Sequence, residues 1–213
     1  MYNRKKFFDA VRPIFGKLNQ NHVDGMNALL DEAEKRQLPL HYLAYILATV
    51  AHETAYTMQP IKEYGRGRGR KYGRKDHTGK APYGRGFVQI TWRRNYVAMA
   101  KLLGIPELAE DYDLALDLAI ATQILFEGML RGTFTGKALW NYIDKIDEDD
   151  EEDLREFVNS RRIVNGRDKQ VRIGKLAISF EYVLKTSHEE RPDPEPENGN
   201  DKPSLFERLF GGS

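Results

Sequence analysis

Two glutamates, Glu53 and Glu63, stand ten positions apart in surroundings of opposite character. Glu53 follows the apolar run Leu40 to Ala51, which carries His41 as its one basic side chain. Desolvation at the rim of a core helix favours a neutral carboxyl, the form a proton donor needs. Glu63 lies beside Lys62 and Arg66 in a glycine-rich basic stretch, where positive neighbours favour the ionised form that activates water. One protonated and one ionised carboxyl facing a single bond is the arrangement that hydrolyses a glycosidic link. Solvated surface glutamates occur at such spacings too, so the pair alone decides nothing.

Two other chemistries compete for the same stretch. His52-Glu53 invites a zinc reading, but a zinc-binding helix of that kind needs a second histidine four residues after the first, and position 56 is Tyr56. No metal ligand set is expected. Lys62, Arg66, Arg68, Arg70, Lys71, Arg74, Lys75 and Lys80, interleaved with Tyr64, Tyr72 and Tyr83, resemble a segment that binds single-stranded nucleic acid by charge and stacking. Outside the acidic residues 188–213 the chain carries 30 bases against 25 acids, a modest surplus, and no helix has a basic stripe. Nucleic acid is therefore not the expected partner.

The elements that must hold these residues read as helices. Apolar residues recur at helical steps over 4–18 (Phe7, Phe8, Val11, Ile14, Phe15), with Pro13 as a kink, and over 24–37, with Asp24 as cap. Residues 40–57 form a helix apolar almost all round, which makes it a core helix. Tyr-Gly-Arg recurs at 64–66, 72–74 and 83–85, and the segment 62–86 belongs on the surface. Phe87 to Trp92 alternates like a short strand. Helices follow at 92–103, ending at Gly104, at 112–131, through Leu139 and Ile143, from Leu154 to Val164, and at 168–186. The acids Asp147 to Asp153 read as a solvated helix approach rather than a calcium loop. Pro192, Pro194, Pro196 and Pro203 among acids describe an acidic, disordered tail over 188–213, leaving a domain of 1–187.

The chain has no cysteine, which excludes disulfide frameworks and thiol catalysis. The basic start Met1 to Lys6 has no apolar stretch behind it, so no signal peptide is expected, and no run spans a bilayer.

Several short motifs then agree in order. His52-Glu53-Thr54, a second glutamate, Tyr83-Gly84-Arg85-Gly86-x-x-Gln89-x-Thr91-x-x-x-Asn95-Tyr96 and Ile163-Val164-Asn165-Gly166 resemble glycoside hydrolase family 19. That family holds chitinases and related bacteriophage endolysins. The resemblance spans about residues 25–185. It implies a mostly α, lysozyme-like domain with a cleft between two lobes and minimal β structure. It also implies Glu53 as general acid, Glu63 as general base and Thr91 as the hydroxyl that holds the attacking water. His52, Tyr83, Gln89, Asn95 and Asn165 would contact the sugar. Tyr64-Gly65-Arg66-Gly67 imitates the motif, but only the copy at 83–86 is followed by the apolar stretch and Gln89; Arg167 replaces a family glycine, and the compact, cysteine-free form resembles bacterial and phage members more than plant ones.

The expected activity is hydrolysis with inversion of β-1,4 bonds between amino sugars, without a cofactor. Peptidoglycan is the favoured substrate, as for an endolysin or bacterial muralytic enzyme. Chitin, or binding of a glycan or a nucleic acid through the basic loop without turnover, is the alternative. The basic loop 62–80 would meet the anionic bacterial envelope. A monomer is expected, made in the cytoplasm and brought to the cell wall by a holin, a virion or a secretion machine.

Overall fold

The computed structural model describes residues 1–144 and 150–189, which form eight α-helices and a single two-stranded ribbon. The expected acids at 147–149 and the tail over 190–213 lie outside the described residues.

The first expected helix is broken at Val11 into α1 (Arg4–Ala10) and α2 (Arg12–Phe15), because Pro13 sits in the first turn of the second piece. Helix α3 (Gln20–Lys35) begins earlier than Asp24. Asn19 accepts from the His22 backbone while His22 Nδ1 accepts from the Asn19 N–H, a reciprocal cap with histidine in the acceptor role. Helix α4 (Leu40–Glu53) starts behind Pro39, and every residue from His41 to Ala51 is buried. It ends at Glu53 rather than at 57. The Thr54 hydroxyl donates to the Val50 carbonyl at 2.7 Å and accepts from the Met58 N–H, which closes the last turn.

His41 is accommodated in this apolar helix by an ion pair. Its Nδ1 lies 3.2 Å from Glu181 Oε1 of α8 (Gln170–Ser187), and Lys185 reaches the same oxygen at 2.7 Å. Asp153 of α7 (Asp150–Ser160) joins them. In place of the solvated position expected for it, Asp153 is 2 % exposed. Burial, then the charge of Glu181, pushes its carboxyl up to about 7. The hydrogen bond to Glu181 raises the His41 imidazole above its ordinary value. These charges pin α4, α7 and α8 together.

The ribbon is antiparallel, β1 (Ile61–Lys62) with β2 (Arg85–Gly86), Ile61 opposite Gly86 and Lys62 opposite Arg85. The strand therefore precedes the expected Phe87–Trp92 stretch. There the chain folds back so that Ile90 bridges Arg85, with left-handed backbone at Gln89 (φ 55°) and Trp92 (φ 68°). After α5 (Arg93–Leu103) and its left-handed Gly104 cap, the expected helix 112–131 is divided. Tyr112–Leu116 is a 3-10 turn, Asp117 caps through the Ala119 and Ile120 N–H groups, and α6 runs Leu118–Arg131. Likewise α7 gives way at Arg161–Ile163 to a 3-10 turn.

Apolar burial forms two clusters. The larger joins α1, α3, α4, α6 and α8; the smaller gathers Ile90, Tyr96, Met99, Ala100, Leu108, Tyr112, Ala115 and Ile124. Helix α6 serves both, with Leu125 in the first and Ile124 in the second. Phe87 enters the larger cluster and Ile90 the smaller, so the segment after β2 lies on the seam between two lobes.

Candidate active site

Glu53 is the last residue of α4, and its side chain is 17 % exposed. The chain after it takes left-handed backbone at three non-glycine residues, Ala55, Tyr56 and Met58. Each such residue costs about 1 kcal/mol or more and persists only where packing imposes it. The packing is visible at Gly25 of α3, where a Cβ would lie 1.8 Å from the Met58 carbonyl oxygen. A glycine there lets the turn behind Glu53 press against α3.

The partner of Glu53 was not legible in the sequence. Arg161, at the end of α7 and 1 % exposed, places Nη1 2.6 Å from Glu53 Oε1. Its Nε donates to the Asp168 carbonyl, and its own carbonyl accepts from the Asn165 N–H at 3.0 Å. One arginine thus ties the α4 terminus to the turn that presents Asn165, which is exposed. His52 is half-buried beside them. Burial above all, helped by Arg161 and Arg172 and opposed by Glu53 and Asp168, lowers its pKa and favours the neutral ring. The signal in the chain was Arg161-Arg162 next to the apolar Ile163-Val164, a sign of a cation carried toward the interior.

Glu63 follows β1, and its partners differ from those expected. Lys62 pairs with Asp113 at 3.1 Å, and Arg66 touches Glu63 only through its backbone N–H. The carboxylate is instead held by neutral donors, the Gly84 N–H at 3.0 Å on Oε2 and the Tyr72 hydroxyl at 3.2 Å on Oε1. Burial and the Glu63 charge raise the Tyr72 phenol, which keeps it a donor. Gln89 lies alongside. Its Nε2 donates to the carbonyls of Ile61 and Gly86, and a Cβ at Gly84 would meet Gln89 Oε1 at 2.9 Å and Glu63 Cβ at 3.2 Å. Only glycine lets Glu63 and Gln89 approach this closely.

Thr91 and Asn95 form the next turn, with Asn95 Nδ2 donating to the Thr91 carbonyl at 2.7 Å. Tyr83 is built into a strut. Its carbonyl accepts from Tyr96 and Arg85, and the Arg85 guanidinium lies 3.7 Å from its ring centre. Arg85, 3 % exposed, also pairs with Asp113 at 2.5 Å. The structure therefore gathers Glu53, His52 and Asn165 around Arg161 and Glu63 and Gln89 around Gly84, with Thr91 and Asn95 paired in the following turn and Tyr83 held by Arg85 and Tyr96. A separate groove of 610 Å³ between α1–α2 and α8, lined largely by apolar residues such as Ile14, Leu176 and Val183, contains none of them.

No family model and no curated protein matches the chain. Solved structures do. Chitinase C from Streptomyces griseus HUT6037 is 25 % identical with a TM-score of 0.51, over 87 % of this chain and 71 % of that one. A mutant of chitinase C is 22 % identical with a TM-score of 0.52, over 86 % and 92 %. A bacterial family 19 chitinase is 20 % identical with a TM-score of 0.52, over 86 % and 94 %. These structural neighbours are chitinases, one of them described as a family 19 enzyme, and the fold is the lysozyme-like helical fold.

Proposed function

We propose that this protein is a glycoside hydrolase that cuts β-1,4 bonds between amino sugars, with peptidoglycan as its substrate. The fold shared with chitinases, a family 19 enzyme among them, supports the reaction class. The observation that carries the assignment is the placement of the two carboxyls, although the positive partner expected beside Glu63 stands beside Glu53. Glu53 is half-buried at a core-helix end against a buried guanidinium, while Glu63 is held by an amide and a phenol at the seam between two lobes.

In this reading Glu53, paired as a carboxylate with Arg161 in the free enzyme, takes up a proton when substrate fills the site and gives it to the leaving glycosidic oxygen, and Arg161 stabilises the carboxylate that is restored. Glu63 takes a proton from water that attacks the anomeric carbon on the opposite face, giving inversion. Two donors on Glu63 orient it without neutralising it. The Thr91 hydroxyl positions the water. Neutral His52, together with Gln89, Asn95, Asn165 and Tyr83, binds sugar hydroxyl and acetamido groups. The basic loop 62–80 favours an anionic wall over a neutral polymer, because exposed arginines there draw in negative charge. The proposed site of action is the bacterial cell wall, with a monomer delivered as an endolysin or by a secretion machine. Chitin is the second reading, favoured by the neighbours' being chitinases.

The test is parallel digestion of purified peptidoglycan and chitin oligomers, with products identified by mass spectrometry. Glu53→Gln and Glu63→Gln should each lower kcat by about 100-fold or more with the fold retained. Near-normal turnover by either variant removes that residue from the mechanism, and cleavage of chitin alone refutes the peptidoglycan reading.

A further inference from the structure

The loop between the two strands is folded into a defined cradle. Backbone N–H groups of Arg66, Arg68, Arg70 and Gly73 donate to the carbonyls of Glu63, Gly65, Gly67 and Arg70, a chain of consecutive tight turns. Gly67 has left-handed backbone (φ 68°) and Gly73 crosses it so closely that a Cβ on Gly73 would lie 1.9 Å from the Gly67 carbonyl oxygen. This crossing explains the alternation of glycine and arginine. Glycines make the turns and the contact, and Arg66, Arg68 and Arg70 are left exposed.

Tyr64, Gly65, Arg66, Arg68 and Gly73 line a groove of 530 Å³ that begins one residue after Glu63. Gly73 of this lining follows Tyr72 in the chain, and Tyr72 donates to Glu63 and packs edge-on against Trp92 at 5.5 Å. Tyr64 is 88 % exposed and offers an open ring face. The nearby bases have acids: Lys62 and Arg85 share Asp113, Lys80 has Asp111, and Arg93 has Glu110. Among the described residues no carboxylate pairs with Arg66, Arg68, Arg70, Lys71, Arg74 or Lys75.

We propose that this groove is a subsite for the free carboxylates of a peptide attached to the glycan, with Arg66 and Arg68 as its specificity-determining residues. The proposal rests on the glycosidase reading, because the groove adjoins the carboxylate assigned as base. Guanidinium groups match carboxylates in geometry and keep their charge at every working pH. Chitin carries no carboxylate. In intact peptidoglycan the lactyl group is bound as an amide, so the negative charge resides on the stem peptide, and the stem peptide is the committed occupant.

The experiment compares the parent protein with the Arg66→Gln/Arg68→Gln variant on intact peptidoglycan, on glycan strands stripped of peptide by an amidase with the lactyl carboxylates so freed capped as amides, and on chitin oligomers. Both positions are exposed, and an unchanged melting temperature checks the fold. On intact peptidoglycan the variant should show KM raised about fivefold at unchanged kcat, with a weaker salt dependence. On stripped strands and chitin oligomers the two proteins should behave alike. Equal KM on intact peptidoglycan overturns the proposal. An equal loss on chitin, or a loss that persists on stripped strands, overturns the stem-peptide assignment. A parent that cuts none of the three refutes the glycosidase reading instead. Calorimetry with a soluble disaccharide–tetrapeptide and the same disaccharide capped as its lactyl amide then decides the groove by itself: a peptide-dependent affinity lost in the variant sustains it, and equal affinities overturn it.

Discussion

Replacing Arg161 with methionine isolates the contact that joins the end of α4 to the far side of the site. The change removes a guanidinium that is 1 % exposed and 2.6 Å from Glu53, and with it the Nε bond to the Asp168 carbonyl. Breaking one side of a buried pair costs about 3–5 kcal/mol, because the remaining charge is left without its partner. Glu53 keeps 17 % of its side-chain surface in contact with solvent, which places the expected loss near the lower end, about 3 kcal/mol. For a domain of this size that is a fall in melting temperature of about 6–12 °C. Urea unfolding followed by circular dichroism measures it, together with the same change made on a Glu53→Gln background. The neutral amide of that background needs no counter-ion, so the two losses should fall short of additivity by about 1–3 kcal/mol. Losses that simply add, or an Arg161→Met protein as stable as the parent, would refute Arg161 as the electrostatic partner of Glu53. Activity should fall as well, since the Asn165 turn is tied to the same arginine.

Gly84→Ala should reduce turnover more than stability, because the new methyl meets Gln89 Oε1 at 2.9 Å, so the amide must swing away, and the Cβ of Glu63 at 3.2 Å, which must give by a few tenths of an ångström; steady-state kinetics beside a thermal melt test it, and parent-like kcat would show that the packing of Glu63 and Gln89 against Gly84 is dispensable. Stability should depend on pH through the charges buried between α4, α7 and α8. Asp153 and His41 both have folded-state pKa values above their unfolded ones. Their stabilisation is therefore present in acid and lost as pH rises, for Asp153 between about 4 and 7. Glu181 is lowered by His41 and Lys185 against its burial, and its contribution is lost only as pH falls through the usual carboxylate range and below. The melting temperature should thus be highest near pH 5 and decline toward pH 8. Asp153→Asn should flatten that decline, and a profile unchanged by the substitution would count against the buried-charge account.

Much of this protein is determined by local chemistry. The largely apolar run Leu40–Ala51 has no stable place except inside, so a core helix follows wherever the rest of the chain goes. Gly104 and Asp117 set helix ends through their own backbone conformation and side-chain reach. The alternating glycines and arginines of the basic loop exclude a buried position for most of it. Carboxyls at 53 and 63 can be picked out by what surrounds them in the chain.

What surrounds them in space is another matter, and there only the tertiary structure decides. Lys62 and Arg66, neighbours of Glu63 in sequence, turn to Asp113 and to solvent, while a phenol and an amide N–H from farther along take the carboxylate. Asp153 looks like one more solvated acid until the packing of α7 on α4 and α8 carries it inside. Arg161 is roughly a hundred positions from Glu53, and no period or cap links them. The physical reason is common to all three. Helix and turn propensities act over a few residues, whereas the partner of a charge is selected by which surfaces pack together. That selection depends on the shapes of two cores that share α6 and meet at the segment carrying Gln89.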